Sequence, residues 1–572
     1  MEHKDYKKEY ERWLEFSDET TQDELRQIAN DENEIKERFS TNLAFGTAGL
    51  RGIMSAGTNR INNYTIRRAT QGLANYIVEN GPSAMARGVA IAFDSRHNSK
   101  EYALETGLVL AAHGIKVYLF KELRPTPELS FAVRHKNTIA GIVVTSSHNP
   151  RQYNGYKVYW EDGGQLPTSV SDKVIEYINN VDFFETKTTS KKEALSSGLL
   201  VYLDDTTDEE YIQAILPQCE TGGGDISIVY TPLHGAGNTS IRTALSRAGF
   251  GNVTVVPEQE IPDGDFPTVP YPNPEVHSTF DLAISLARHI GAKIILSSDP
   301  DADRLGVAYL DHDGEYKFLN GNQTGSLITE YVLSQRSIKG KLPENASVIS
   351  TIVSTRLTEK ICANYNVKYS DVYTGFKHIA EEIAKNPKDN FILGWEESYG
   401  YLVGLHARDK DAVVASIVLA DLAQWLNAQG KTFTDALENM YKKYGYHNEG
   451  VLNIVREGLS GAAEIIDFMN SMRVNIPKTI GRFKVNAFRD YQNNQRYDFE
   501  NTKEEELNMS PADVVYLELD ENLEIAVRPS GTEPKIKFYF FATDKNPSSA
   551  QEKIDVATSE MQHLFEERTQ SF

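Results

Sequence analysis

Ile139-Ala140-Gly141-Ile142-Val143-Val144 runs straight into Thr145-Ser146-Ser147-His148-Asn149-Pro150, and reading these twelve residues decides the fold. A short apolar run ending in a polar, proline-stopped loop is a buried strand that delivers hydroxyls to one edge of a sheet. In open α/β sheets ligands sit just beyond the carboxyl ends of the strands. A serine held there can act as a nucleophile or carry a phosphoryl group if its surroundings activate it and neutralise charge.

The same grammar recurs outward from this stretch. The first unit comprises a strand at 89–93, a helix around 102–113, a strand at 115–120 and the strand at 139–144. A second follows at 226–230, 240–248, 253–256 and 294–296, and a third at 348–353, 357–365, 367–369 and 391–393. Strand and helix alternation of this kind predicts α/β domains with parallel sheets, because each crossover places a helix between strands. The last strand of each unit runs into an unusual polar loop: TSSHNP, SSDPDADR and GWEESYG. After about residue 450 hairpin-connected strands and a long final helix predict an α+β domain, whose loop is RPSGTEPK. The fold class is therefore three related mixed α/β domains plus a C-terminal α+β domain. The expected boundaries are 1–205 (with an N-terminal helical extension docked by Trp13, Leu14 and Leu25), 206–325, 326–450 and 451–572. Between the units lie a glycine turn at 220–224 and a proline-dense loop at 262–275.

Bulk properties narrow the function. A chain of 572 residues exceeds a single core, and its net charge of −22 argues against nucleic acid as a partner. Anion binding in so acidic a chain must come from local Arg and Lys clusters. Two cysteines, Cys219 and Cys362, make no disulfide framework, and no apolar run approaches the ~20 residues of a membrane span. The charged N-terminus lacks a signal peptide's apolar core, so the chain is expected to be cytoplasmic.

Each loop has a chemistry. Asp299, Asp301 and Asp303 alternate, and a curved loop gathers them around one hard cation; all-oxygen ligation suits Mg²⁺. A calcium EF-hand is excluded by Arg304 and Leu310 where Gly and Glu would be needed. Arg304 offers a charge-assisted contact to phosphate. Ser147 lies in no G-x-S-x-G elbow, and adjacent His148 would point to the opposite face of an extended chain, which disfavours a hydrolase pair. A serine facing a Mg²⁺ site points to phosphoryl transfer. In the third loop the carboxylates Glu396 and Glu397 and the hydroxyl of Ser398 suit sugar hydroxyls, and Lys410-Asp411 reads as a helix start. Arg528, Ser530, Gly531, Thr532 and Lys535 form an anion-binding composition. The bland alternatives are a serine turn, a solvated acidic turn, a capped helix and a basic hairpin turn.

Together, TSSHNP, DPDADR, GWEESYG and RPSGTEPK resemble, in order and spacing, the four signature loops of the α-D-phosphohexomutase superfamily, from about residue 45 to 541. FGTAGLRG, NGYKVY, TPLHG, TGFKHI and RDKDA agree, and the long bacterial α-phosphoglucomutases, related to the phosphopentomutase-like branch, are the most similar members. The resemblance implies a four-domain phosphohexomutase architecture and an intramolecular phosphotransferase, an isomerase. That enzyme would interconvert glucose 1-phosphate and glucose 6-phosphate through a phosphoserine and glucose 1,6-bisphosphate. It implies Ser147 as the phosphoserine, a metal site of Asp299, Asp301, Asp303 and the Ser147 oxygen, and Mg²⁺ with the bisphosphate as cofactors. Arg51, His148 and Lys157 would surround the serine, Lys157 and His148 as proton-transfer candidates. Glu396 and Ser398, with Thr374 and Gly375, would hold the sugar, Arg304 and Lys410 would border it, and Arg528, Ser530, Gly531 and Thr532 would grip the distal phosphate. Ser146 stands where alanine is usual; His148-Asn149-Pro150 fixes the choice on Ser147. Trp395 and Tyr399 also depart from the common pattern, which bears on sugar preference. The expected partners are small sugar phosphates, with neither nucleic acid nor membrane, and the chain a monomer or weak homo-oligomer. Phosphomannomutase or phosphopentomutase activity, a metal-dependent sugar phosphatase and a catalytically silent sugar-phosphate sensor are the alternatives; the intact nucleophile, carboxylates and clamp disfavour the sensor.

Overall fold

Apolar strands, and the helices that cover them, assemble three related α/β domains followed by a C-terminal α+β domain in the computed structural model, which describes residues 5–46, 49–456, 458–530 and 535–569. By internal packing the chain forms two compact units, Met1–Ser350 with Gly375–Phe433, and Thr351–Thr374 with Thr434–Phe572.

The first unit opens with three short helices, Tyr6–Phe16, Glu19–Gln27 and Glu32–Phe39, each begun by an aspartate whose carboxylate accepts a first-turn N–H. They close around Trp13, which is fully buried with Leu25 and Phe39; Leu14 is partly buried against the same cluster. The first sheet uses β1 (Gly49–Ile53), β2 (Val89–Phe93), β3 (Val117–Phe120), β4 (Ala140–Val144), β5 (Tyr153–Trp160) and β6 (Leu200–Leu203) in the order β1-β5-β4-β2-β3-β6. Strands β2 and β4 are buried at every position, as their unbroken apolar runs require of strands covered on both faces. The second sheet comprises β7 (Ile228–Thr231), β8 (Val253–Val255), β9 (Ile294–Ser298), β10 (Leu305–Leu310) and β11 (Tyr316–Leu319), ordered β11-β10-β9-β7-β8. The third region supplies β12 (Ala346–Thr351), β13 (Lys368–Val372), β14 (Asn390–Glu396) and β15 (Gly400–Val403), with β12 parallel to β14.

The sheets are mixed, and this corrects the expectation of parallel pairing alone. Strand β5 returns antiparallel to β4, β10 to β9 and β15 to β14. Each of the first three signature loops is therefore the turn of a hairpin whose first strand is paired in parallel with another. A short loop cannot hold a crossover helix, so the chain must fold back on the strand it has just left. Glycines allow the tight closure. A Cβ on Gly155 would stand 2.4 Å from the Thr145 carbonyl oxygen, and one on Gly235, in TPLHG, would stand 2.4 Å from the Pro300 Cα.

In the second unit β16 (Tyr446–Val455), β17 (Thr479–Ile480), β18 (Phe483–Asp490), β19 (Gln495–Asp498), β20 (Lys503–Glu506), β21 (Val515–Leu519), β22 (Leu523–Pro529) and β23 (Lys535–Asp544) make an antiparallel sheet. Its core packs Phe468, Phe538, Phe540 and Phe565, the last from the final helix Pro547–Thr569.

Candidate active site

Three peptide hydrogen bonds bring the loops of the first unit together. The Asp301 carbonyl accepts from Thr126 N–H at 2.9 Å, the Ala302 carbonyl from Ala412 N–H at 3.1 Å, and the Tyr399 carbonyl from Leu305 N–H at 3.0 Å. The aspartate loop is thus held from the first domain, from the start of helix Ala412–Asn427 and from the third loop. Asp411 begins that helix as expected, accepting from Val413 and Val414 N–H. Behind the aspartates the Pro300 carbonyl takes Ala236 N–H at 2.7 Å, which gives TPLHG its role.

Ser147 is 3 % exposed and has φ +50°. Its N–H donates to Thr145 Oγ1 at 2.8 Å, and its hydroxyl donates to Asp299 Oδ2 at 2.6 Å. That left-handed turn overturns one expectation: the chain is not extended here, so the ring of His148 lies beside the serine, with Nδ1 3.2 Å from Ser147 Oγ. The neighbouring Ser146 hydroxyl is buried and finds no hydrogen-bond partner, whereas Ser147 faces the carboxylates.

Asp299, Asp301 and Asp303 are buried, and oxygens from all three lie within 4.8 Å of one another. Ala302, at φ +50°, supplies the curvature that strand spacing would not. Asp299 Oδ1 accepts the N–H groups of Asp303 and Arg304. Lys157 Nζ stands 2.7 Å from Asp301 Oδ2 and 3.3 Å from Asp303 Oδ2, and Lys410 Nζ stands 3.2 Å from Asp303 Oδ2. The other oxygens, Asp301 Oδ1 and Asp303 Oδ1, are buried without a hydrogen-bond partner. Two orphaned anionic oxygens beside a third carboxylate are costly unless a cation completes them, and an all-oxygen set suits a hard dication such as Mg²⁺. The residues fit that ion.

Electrostatics separates the site's roles. Burial, then the neighbouring charges of Asp301 and Asp303, push the Asp299 carboxyl well up. Burial also opposes the charge on Asp301, but Lys157 outweighs it and holds the group low. Lys157 and Lys410 are buried too, yet their carboxylate neighbours keep both ammoniums charged, with raised pKa values. His148 goes the other way: burial, then Arg304, Arg51 and Lys157, drive it well below the usual imidazole value, so it is neutral. Arg304 is tied to Glu275.

The residues of the third loop sit one hairpin away. Glu396 ends β14, is 4 % exposed, and its Oε1 accepts the Gly375 N–H at 2.6 Å; Gly375 has φ +118°. Ser398 lies half-buried in the same turn. Arg51 stands on β1 opposite Gly155 of β5, which places it on the strand paired with the one that carries Lys157. Thr374, Arg528 and Ser530 belong to the second unit, where Arg528 lies near the end of β22 and Ser530 N–H donates to the Lys535 carbonyl at 2.7 Å. Gly531 and Thr532 lie outside the described residues.

Three supporting residues lie outside the four signature loops. Asp94 and Arg96 follow the buried strand β2 at the same sheet edge as the serine loop, and that position was the available signal. Asp409 accepts from the Tyr159 hydroxyl at 2.7 Å and stands 3.3 Å from Lys410 Nζ, steadying that ammonium.

Among known proteins, the family described as phosphoglucomutase/phosphomannomutase matches through its α/β/α domain I at residues 42–185, domain II at 209–312 and domain III at 320–444. The phosphoglucomutase of Staphylococcus aureus (strain N315) is 38 % identical over 538 residues, 92 % of this chain and 94 % of that protein. That of Staphylococcus haemolyticus (strain JCSC1435) is 38 % identical over 511 residues, 88 % of this chain and 90 % of its own. The fold is shared with a putative phosphomannomutase from Thermus thermophilus, at TM-score 0.67 and 21 % identity over 92 % of this chain and 99 % of that one. It is likewise shared with Paramecium pp63/parafusin in its open form, at TM-score 0.68 and 18 % identity over 92 % and 96 %.

Proposed function

Because this chain belongs to the phosphoglucomutase/phosphomannomutase family, we infer that it is a phosphoglucomutase, an isomerase that interconverts glucose 1-phosphate and glucose 6-phosphate. The observation that carries the reading is the buried Ser147 hydroxyl on Asp299, inside a group of three carboxylates with two orphaned oxygens.

In this reading Ser147 carries the phosphoryl group. The bond between phosphorus and Ser147 Oγ breaks as a sugar hydroxyl oxygen bonds to phosphorus, and the hydroxyl proton leaves to a base. Neutral His148 has a lone pair free for that proton, while charged Lys157 serves as donor and counter-charge. The product, glucose 1,6-bisphosphate, turns around, and its other phosphoryl group returns to Ser147 with the proton moving back. Mg²⁺ held by Asp299, Asp301, Asp303 and the serine oxygen would supply charge neutralisation at the transferring group. Three carboxylates already face Lys157, Lys410 and Arg304, so a dication on its own leaves surplus positive charge. A phosphoserine, at roughly −2, restores the balance.

Glu396 and Ser398, with Thr374 and Gly375, are assigned to sugar hydroxyls, Arg304 and Lys410 to the ligand's border, and Arg51 to the serine's surroundings. Arg528, Ser530, Gly531 and Thr532 take the non-reacting phosphate. The boundaries 1–205, 206–325, 326–450 and 451–572, a cytoplasmic location and a monomer or weak homo-oligomer complete the proposal. Among the described residues no helix is long and apolar enough to cross a membrane.

The test is a phosphorus NMR time course with glucose 1-phosphate, Mg²⁺ and a trace of the 1,6-bisphosphate. Conversion to the 6-phosphate with little inorganic phosphate is expected. Accumulating inorganic phosphate would replace the mutase reading with a phosphatase.

A further inference from the structure

Arg96 is heavily engaged with the serine loop, yet it touches neither the carboxylates of the metal-type group nor the serine hydroxyl. Its guanidinium donates to four backbone carbonyls of that loop and its return strand. Nη2 reaches the carbonyls of Ser147 and Asn149, and Nη1 those of Pro150 at 2.9 Å and Tyr153 at 3.1 Å. Its side chain is fully buried, as is that of Asp94, whose carboxylate stands 3.3 Å away. Asp94 also accepts from the Thr145 hydroxyl at 2.6 Å, from Ser99 Oγ at 2.7 Å and from Arg96 N–H at 2.9 Å. Thr145 Oγ1 in turn accepts the Ser147 N–H.

The serine is therefore fixed at both of its peptide ends. Its N–H is held through Thr145 by Asp94, and its carbonyl directly by Arg96. A serine at φ +50° sits in a region that disfavours L side chains, and it persists only when its surroundings over-determine it. The outer face of the brace is covered by the proline-dense loop between Pro262 and Glu275. The Phe266 ring lies 5.0 Å from the Arg96 guanidinium carbon, and a Cβ on Gly264 would stand 2.6 Å from the His97 nitrogen. An arginine fork in a dry pocket, packed on an aromatic face, has one low-energy arrangement.

We propose that Arg96, anchored by Asp94, is a positioning residue for phosphoryl transfer: it locks the serine loop so that Ser147 Oγ returns to the same place in both half-reactions. A mutase needs this more than a hydrolase does, because the serine must give the group up and take it back from the opposite end of the sugar. The inference rests on Ser147 as the phosphorylated residue. Positional errors of about 1 Å cost on the order of 100-fold in rate.

The experiment follows phosphorylation of the full-length, dephosphorylated protein by glucose 1,6-bisphosphate with Mg²⁺, using quenched flow and intact mass, in the wild type, Arg96→Met, Arg96→Lys and Thr145→Val. The rate constant is expected to fall about 100-fold in Arg96→Met and about tenfold in Thr145→Val, with Arg96→Lys between them. KM for glucose 1-phosphate should stay within about threefold, since the hydrogen bonds of the brace run to the serine loop and not to the residues assigned to the sugar. A merely structural role would lower the amplitude, as less protein is folded, and leave the rate constant unmoved. A wild-type rate constant in the variants that fold overturns the proposal, and Thr145→Val keeps it testable should both arginine variants fail to fold. Absence of phosphate on Ser147 in the wild type would instead overturn the reading of the site.

Discussion

The hydroxyl of Ser147 and the carboxylate of Asp299 meet at 2.6 Å although 152 positions separate them in the chain, and both are buried. The contact joins the serine proposed to carry the phosphoryl group to the three clustered carboxylates. Ser147→Ala removes one hydroxyl from a loop, not from a core, so the melting temperature should move by only a few degrees, corresponding to about 1 kcal/mol. Mutase activity and the phosphorylated mass should both disappear. Retention of activity, with phosphate found on Ser146, would reassign the nucleophile.

Asp301 and Asp303 each have one buried oxygen without a hydrogen-bond partner, the basis for the proposed Mg²⁺ site. Chelation of wild-type protein should abolish activity, and Mg²⁺ should restore it. Binding to the folded state alone stabilises by about 2.7 kcal/mol at a hundredfold excess over Kd, so Mg²⁺ should raise the melting temperature. Asp301→Ala should lose that thermal response as well as turnover. A full Mg²⁺ shift in the variant would remove Asp301 from the ligand set.

Lys157 neutralises Asp301 and Asp303 from within the protein. Lys157→Met leaves buried carboxylates short of a counter-charge, a defect worth about 3–5 kcal/mol. The loss in chemical denaturation should be smaller with Mg²⁺ than with chelator, because the dication substitutes for part of the missing charge. Equal losses in both conditions would mean that the lysine and the ion do not share a site.

His447 of the second unit gives a pH dependence of defined sign. Burial, then the Lys360 ammonium, bring it down to about 4. Its unfolded value is near 6.5, so between these limits the unfolded state binds more protons and stability falls as pH drops. The full effect is about 3 kcal/mol, present above pH 6.5 and lost by pH 4. All four tryptophans, Trp13, Trp160, Trp395 and Trp425, lie in the first unit, so indole fluorescence is blind to this event. Hydrogen-exchange protection factors over residues 446–455 report it, and His447→Gln should flatten their pH dependence.

Trp13 anchors the N-terminal helices, with ring centroids 5.0 Å from Tyr64 and 5.7 Å from Phe39. Trp13→Ala should cost about 3–5 kcal/mol of local stability. Proteolysis should then release the first forty residues before the sheets are cut.

The sequence by itself determined the repeated strand–helix units, the four loops and their order, the alternating aspartates and the helix start at Asp411. These are local properties, written in apolar runs, prolines and spacing. Only the tertiary structure decided that the first three loops are hairpin turns with antiparallel returns, since the return strand's partner is chosen by pairing, not by its own residues. It also decided that Ser147 turns left-handed and so brings His148 alongside. Nothing in a DSR tripeptide states that its arginine will gather four carbonyls about fifty residues away. Such contacts depend on backbone groups, which every residue has alike, and on which strands happen to end side by side.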